Sequence, residues 1–139
     1  FPSPDEEFIE DHFPVRINPA YQVNISSTVH GNGFRPTELS GFLSKFSWIP
    51  KHLSLTFQAA TNVPGNVEYW WKVRNFGTEA LSANGNNGLR GEIRQGMGDG
   101  KKHESTLYNG VHYIECYIVK EGICVAKKLQ LVPIKKAEA

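Results

Sequence analysis

Apolar and polar residues alternate through one stretch of this chain after another, and Gly, Pro or Asn closes each stretch; that period of two is the mark of half-buried β-strands. Tyr21, Val23, Ile25 and Val29 alternate ahead of Gly31-Asn32-Gly33, and Leu53, Leu55, Phe57 and Ala59 do so ahead of Asn62-Val63-Pro64-Gly65-Asn66. Val67, Tyr69, Trp71 and Val73 come next. A strand sends successive side chains to opposite faces, so Trp71 turns inward while Trp70, Lys72 and Arg74 turn outward. Trp70 is thus expected on display between Glu68 and two cations, a setting that suits a stacking partner carrying negative charge.

Further strands are expected over residues 89–95, 103–108, 111–120 and 123–134, with Glu121-Gly122 as the two-residue turn of a hairpin that pairs Val119 with Cys124. Between residues 35 and 46 the period changes: Leu39, Phe42, Leu43 and Phe46 recur at helical spacing, and Pro36 suits the first turn, although Gly41 weakens it. Roughly seven strands and one short helix describe a mainly β fold, an antiparallel immunoglobulin-like β-sandwich. Trp71 would be its buried strand tryptophan, and residues 113–116 part of its late strand. The expected core is Val23, Ile25, Leu55, Phe57, Tyr69, Trp71, Val73, Ile93, Ile114, Cys116, Ile118, Val125 and Leu129.

The 139 residues, 40% of them apolar, suffice for one sizeable core and not for two. Residues 1–19, acidic at first and anchored only by Phe8, Ile9 and Phe13, read as a linker or docking arm, and residues 20–139 as the domain. The chain opens at Phe1-Pro2-Ser3-Pro4 without an initiating Met, which predicts a piece cut from a longer polypeptide. Fifteen basic and fourteen acidic residues nearly cancel, so no global field draws the protein to duplex nucleic acid or an anionic membrane, and any nucleotide recognition must be local. No apolar run is long enough to span a membrane, and neither a membrane span nor a secretory signal is expected. Cys116 and Cys124 fall on opposite faces of the predicted hairpin, which argues against a disulfide and for a reducing cytoplasm. The Asn24-Ile25-Ser26 triplet matches a glycosylation acceptor but stands alone.

Chemistry finds little support. Gly96-Met97-Gly98-Asp99-Gly100-Lys101-Lys102 lacks the first Gly and the final Ser or Thr of a phosphate loop, and it precedes a strand rather than a helix. His112 and Cys116 share a face, yet four strand residues separate them by about 13 Å, too far for one zinc. Neither a metal nor another cofactor is expected. Ser105 near His103 and Cys116 near His112 offer nucleophile and base without a nucleophile elbow or a third orienting group. The chain is therefore read as non-catalytic.

What remains is a binding constellation on strands and their ends: Trp70, Lys72, Arg74, Arg90, Glu92, Arg94, His103, Glu104, Tyr108 and His112. Arg90, Glu92 and Arg94 share a face opposite Leu89, Gly91 and Ile93. Arginine forks grip phosphate bidentately, and Glu92 can accept from a base or ribose. The plainer alternative is a solvated sheet face whose cross-strand ion pairs contribute little.

Several stretches together resemble one family: Pro4-Asp5-Glu6-Glu7-Phe8-Ile9-Glu10-Asp11-His12-Phe13-Pro14-Val15, Asn32-Gly33-Phe34-Arg35-Pro36, Trp71-Lys72-Val73-Arg74-Asn75-Phe76-Gly77-Thr78-Glu79-Ala80, Leu89-Arg90-Gly91, His103-Glu104-Ser105-Thr106-Leu107-Tyr108 and Gly110-Val111-His112-Tyr113-Ile114-Glu115-Cys116. In order and spacing they resemble the AGS-C domain, the C-terminal sensor domain of adenylyl/guanylyl cyclase-like and SMODS nucleotidyltransferases, over nearly the whole chain. The resemblance implies a tethered nucleotidyltransferase that makes cyclic di- or oligonucleotide messengers in bacterial anti-phage defence of the CBASS type. It also implies that the stretch around Phe8 to Val15 is where the catalytic domain hands over. The synthase's Gly-Ser turn and metal-binding acids are missing here, so this chain should synthesise nothing. The family pattern covers Trp71, Asn75, Gly77, Glu79, Leu89, Arg90, Gly91, His103, Glu104, Tyr108, Gly110, His112 and Glu115, whereas Trp70 lies outside it.

Two functions are expected on these grounds. One is a sensor that binds a nucleotide or cyclic oligonucleotide and passes the event to the synthase. The other is a protein-interaction module that docks on the nucleotidyltransferase or an effector through the Trp70 face.

Overall fold

The structure, a computed structural model, describes residues 6–31, 34–38, 53–74, 90–105 and 110–134. Within them run eight strands: β1 (Val23–Gly31), β2 (Phe34–Glu38), β3 (Ser54–Thr61), β4 (Glu68–Arg74), β5 (Arg90–Gln95), β6 (Lys101–Ser105), β7 (Gly110–Lys120) and β8 (Ile123–Ile134). They form two four-stranded sheets, ordered β2-β1-β3-β6 and β5-β4-β7-β8, antiparallel at every pairing. Taken as immunoglobulin strands, β1, β3 and β6 are A, B and E, while β5, β4, β7 and β8 are C′, C, F and G. The fold is the expected sandwich, and Trp71 sits on strand C, the place of the immunoglobulin tryptophan.

Between the sheets lie Val29, Leu55, Phe57, Trp71, Ile114, Cys116 and Ile118, each no more than 2% exposed. Truncating a side chain as large as the buried Trp71 to Ala would cost about 3–5 kcal/mol, a large share of a small domain's stability. Of the other residues expected inside, Val23 is buried there, and Ile25, Tyr69, Val73 and Val125 are partly buried against the same cluster. Ile93 is buried too, on the far side of its sheet.

Leu129 is the exception, at 44% exposed. The β7–β8 register explains it: Ile118 faces Ala126 and Val119 faces Cys124, so Val125 is an extra residue on β8. This bulge inverts the parity of the later β8 residues. Ala126 and Val132 then point into the core and Leu129 and Leu131 point out of it.

The helix expected over residues 35–46 is corrected at its start, where residues 34–38 form strand β2; residues 39–46 lie outside those described. Pro36 suits both readings, because β2 pairs only with β1 and an edge strand tolerates a residue without an N–H. The Glu121-Gly122 turn forms as expected, with φ of 51° and 77° at its two residues, the left-handed pair of a type I′ hairpin.

Cys116 packs between the sheets, while Cys124, paired with Val119, lies on the opposite face. Both thiols are free and fully buried. Burial drives both thiols upward, Cys124 to about 11, so neither supplies thiolate at neutral pH. A disulfide-exchange reagent at mildly alkaline pH should therefore leave both cysteines unmodified in the native protein and titrate two thiols once denaturant is added. Prompt native reaction of either would show that its cover opens readily.

Candidate functional site

The outward face of the β5-β4-β7-β8 sheet is covered by the chain's own beginning. Residues 6–18 run across it as a strap from the β5 edge to the β8 edge. At β5, the Glu7 amide donates to the Gly91 carbonyl at 2.9 Å, and the Glu7 carboxylate accepts from the Ile93 amide at 3.0 Å. At β8, the Cys124 amide donates to the Pro14 carbonyl, the Arg16 amide to Cys124 and the Asn18 amide to Val125. Val15 thereby pairs with Cys124 in parallel fashion.

The middle of the strap is held by apolar burial. A 3-10 turn, Ile9–Asp11, sets Ile9 among Ile93, Tyr117, Val119 and Cys124, a second core on the outer side of the sheet. Ile9 is 2% exposed, and burying such a side chain contributes about 1.5–3 kcal/mol. The exposed His12–Glu7 pair at 2.7 Å contributes at most about 1 kcal/mol, so packing rather than this ion pair fixes the strap.

Trp70 belongs to this second core. Its ring meets Phe13 edge-on at 5.0 Å between centroids, His12 lies 6.2 Å away, and its indole N–H donates to Glu68. The expectation that Trp70 stands on display is thus corrected: alternation places it on the outer face, and the strap half-covers it. Lys72 and Arg74 follow on the same face and are only 3% and 4% exposed. Their shared partner is Glu6, whose Oε2 lies 3.3 Å from Lys72 Nζ and whose Oε1 lies 3.0 Å from Arg74 Nε. The Phe8 ring centroid is 4.5 Å from Lys72 Nζ, and that of Tyr113 is 5.9 Å away. Gly91 makes room for this arrangement: at φ +108°, a Cβ there would stand 2.8 Å from Glu6 Cγ.

The other residues singled out from the sequence lie elsewhere. In the β4–β5 register Lys72 faces Ile93 and Trp71 faces Arg94, so Arg94, and Glu92 with its parity, are on the other side of the sheet from Lys72. The backbone of Arg90 pairs with Arg74 beyond an irregularity at Gly91. On the second sheet, His103 is exposed, with Nδ1 3.0 Å from the Thr56 hydroxyl. Glu104 stands opposite Leu55 and pairs with Lys102 at 3.3 Å; burial pushes its carboxyl upward against the pull of Lys102. His112 is buried opposite Val132, and Tyr108 lies outside the described residues.

The structure therefore gathers Trp70, Lys72 and Arg74 and adds Glu6, Phe8, Phe13 and Tyr113. The acidic stretch beginning at Asp5 was visible in the sequence, but no local pattern says that a carboxylate 66 residues upstream reaches Lys72. Among the described residues, no three His, Cys, Asp or Glu side chains come together as a metal site, and no helix is long and apolar enough to cross a membrane.

The site is thus a pair of covered cations on the outer face of an immunoglobulin-like sandwich, closed by a strap that carries their carboxylate partner. The family model described as the Adenylyl/Guanylyl and SMODS C-terminal sensor domain matches residues 3–135, and the chain belongs to that family. No curated protein matches it. Membership links the domain to a nucleotidyltransferase.

The strap's hold on β5 depends on pH through Glu7. The Ile93 amide, aided by the neighbouring His12 and Arg94, holds its carboxyl below the ordinary 4.5 in spite of some desolvation. A carboxyl depressed in the folded state lends stability above its unfolded value and loses it as pH falls through the folded one. Hydrogen exchange at the Ile93 amide should accelerate, relative to core amides such as Ile118, as pH drops below the carboxylate range. Glu7→Gln should remove that dependence.

Proposed function

We propose that this chain is the non-catalytic sensory domain of a bacterial second-messenger nucleotidyltransferase in anti-phage defence of the CBASS type, working in the cytoplasm. In this reading it binds a nucleotide or cyclic oligonucleotide and modulates the synthase to which residues 1–19 connect it. The observation that carries the reading is the position of that connection. The stretch expected to hand over from the catalytic domain is the strap itself, lying on Lys72 and Arg74. A ligand that changes the strap's docking has a covalent route to the synthase, and coupling requires only that it bind the two strap states unequally. Arg90, Glu92, Arg94, His103, Glu104, Tyr108 and His112 are further contacts to be tested. Calorimetric titration with mononucleotides and cyclic dinucleotides should give a saturable heat with at least one of them. Absence of heat with every nucleotide would overturn the nucleotide reading.

Docking on the nucleotidyltransferase is a second reading, favoured by one corner of the strap-bearing face. There Leu129 and Leu131 are 44% and 54% exposed, and Phe8 on the strap is 43% exposed. Apolar side chains of this kind serve as interface anchors when a partner desolvates them. If this corner is the contact, Leu131→Lys should weaken association with the separately produced catalytic domain by about tenfold or more, the loss of a typical hot spot. Unchanged association would remove the corner from the interface.

A further inference from the structure

Lys72 and Arg74 are the two cations of the described sheet residues that are almost wholly removed from water, and a carboxylate from a distant part of the chain is inserted between them. Its two oxygens divide between the two cations, Oε1 to Arg74 and Oε2 to Lys72. Two oxygens held by a guanidinium and an ammonium are also how a phosphate group is gripped. Aromatic rings border the place on two sides, Phe8 from the strap and Tyr113 from β7. The acidic neighbour across the β4–β7 register is Glu115, which faces Lys72 and accepts a hydrogen bond from the Tyr117 hydroxyl.

The carboxylate is the detachable member of this cluster. Lys72 and Arg74 are fixed in a central strand paired on both sides. Glu6 sits on the strap end that precedes Ile9, where Phe8 is 43% exposed while Ile9 itself is 2% exposed. Lifting residues 6–8 would give up the Glu7 contacts to β5 and the two Glu6 ion pairs, and would leave the packing of Ile9 and Phe13 in place. The segment is short, and the chief cost of opening it is the loss of the carboxylate from the two covered cations, a cost that an anion taking its place would offset.

We propose that Lys72 and Arg74 form a binding site for a phosphate-bearing anion, and that Glu6 is its resident, displaceable occupant. The anion takes the place of the carboxylate, and the first residues of the strap leave the sheet as it binds. The proposal rests on the sensor reading and assigns that sensor its ligand class, its site and the movement it produces. Gly91, which leaves space beneath Glu6, keeps this part of the face open to the incoming group.

The test compares wild type, Glu6→Gln and Lys72→Gln in calorimetric titrations with inorganic pyrophosphate and, separately, with a cyclic dinucleotide, while hydrogen exchange is followed at the Ile93 amide. Glu6→Gln removes the competing charge at the strap end and keeps the side chain's shape. If the open site is populated about one-tenth of the time in wild type, Glu6→Gln should tighten anion binding about tenfold. Lys72→Gln should weaken binding, and saturation of wild type should speed exchange at Ile93. Binding of pyrophosphate alone would assign the site to free phosphates, and tighter binding of the cyclic dinucleotide would assign it to nucleotides. Equal affinities in all three proteins, or tightening without faster exchange at Ile93, would overturn the proposal and leave the sensor reading standing with its site elsewhere. No binding of either anion to any of the three would overturn both the site and the nucleotide reading.

Discussion

Residues 6–18 close the outer face of the β5-β4-β7-β8 sheet, and the chemistry of that face depends on the closure. Without the strap, Ile93, Val119 and Cys124 would leave an apolar patch on the surface, and Lys72 and Arg74 would be ordinary solvated cations of a sheet face. With it, the sheet has two buried sides. The inner one is filled by Trp71, Phe57 and Ile114, and the outer one by Ile9, Tyr117 and the ring of Phe13 against Trp70. The strap is fastened by backbone hydrogen bonds at both sheet edges, so it also blunts two edges that would otherwise offer unpaired amides to other chains.

Charge under such a cover behaves differently from charge on the surface. Lys72 and Arg74 lose most of their hydration, and Glu6 offsets that cost by supplying an oxygen to each. Pairs of this kind add little to stability when compared with apolar residues of similar size, but removing one member leaves the other buried and uncompensated. The apolar middle of the strap supplies attachment, while its acidic end neutralises the two covered cations.

Much of the fold was legible in the sequence because β-structure has a short, local period. Alternation around Trp71 gave its burial and the outward direction of Trp70, Lys72 and Arg74, and Glu121-Gly122 gave the hairpin that separates Cys116 from Cys124. Local signals failed where geometry is set by a neighbour. The extra residue at Val125 reverses the faces of β8 and exposes Leu129, and Pro36 begins an edge strand because β1 is there to pair with it. The candidate site was legible only in part. Its cations were found, but residues expected beside them are distributed over both sides of one sheet and onto another, because the β4–β5 register sets Arg94 opposite Trp71 rather than Lys72.

By itself the sequence determined the class of fold, the membership of the sensor-domain family and which strand residues turn away from the core, since each depends on residue order over a few positions or on the pattern of the whole chain. Only the tertiary structure decided what those outward residues meet. Whether Trp70 sees solvent or Phe13, and whether Lys72 sees water or Glu6, depends on a segment more than fifty residues away returning across the sheet. Period two specifies a direction for each side chain, and it carries no information about what lies in that direction.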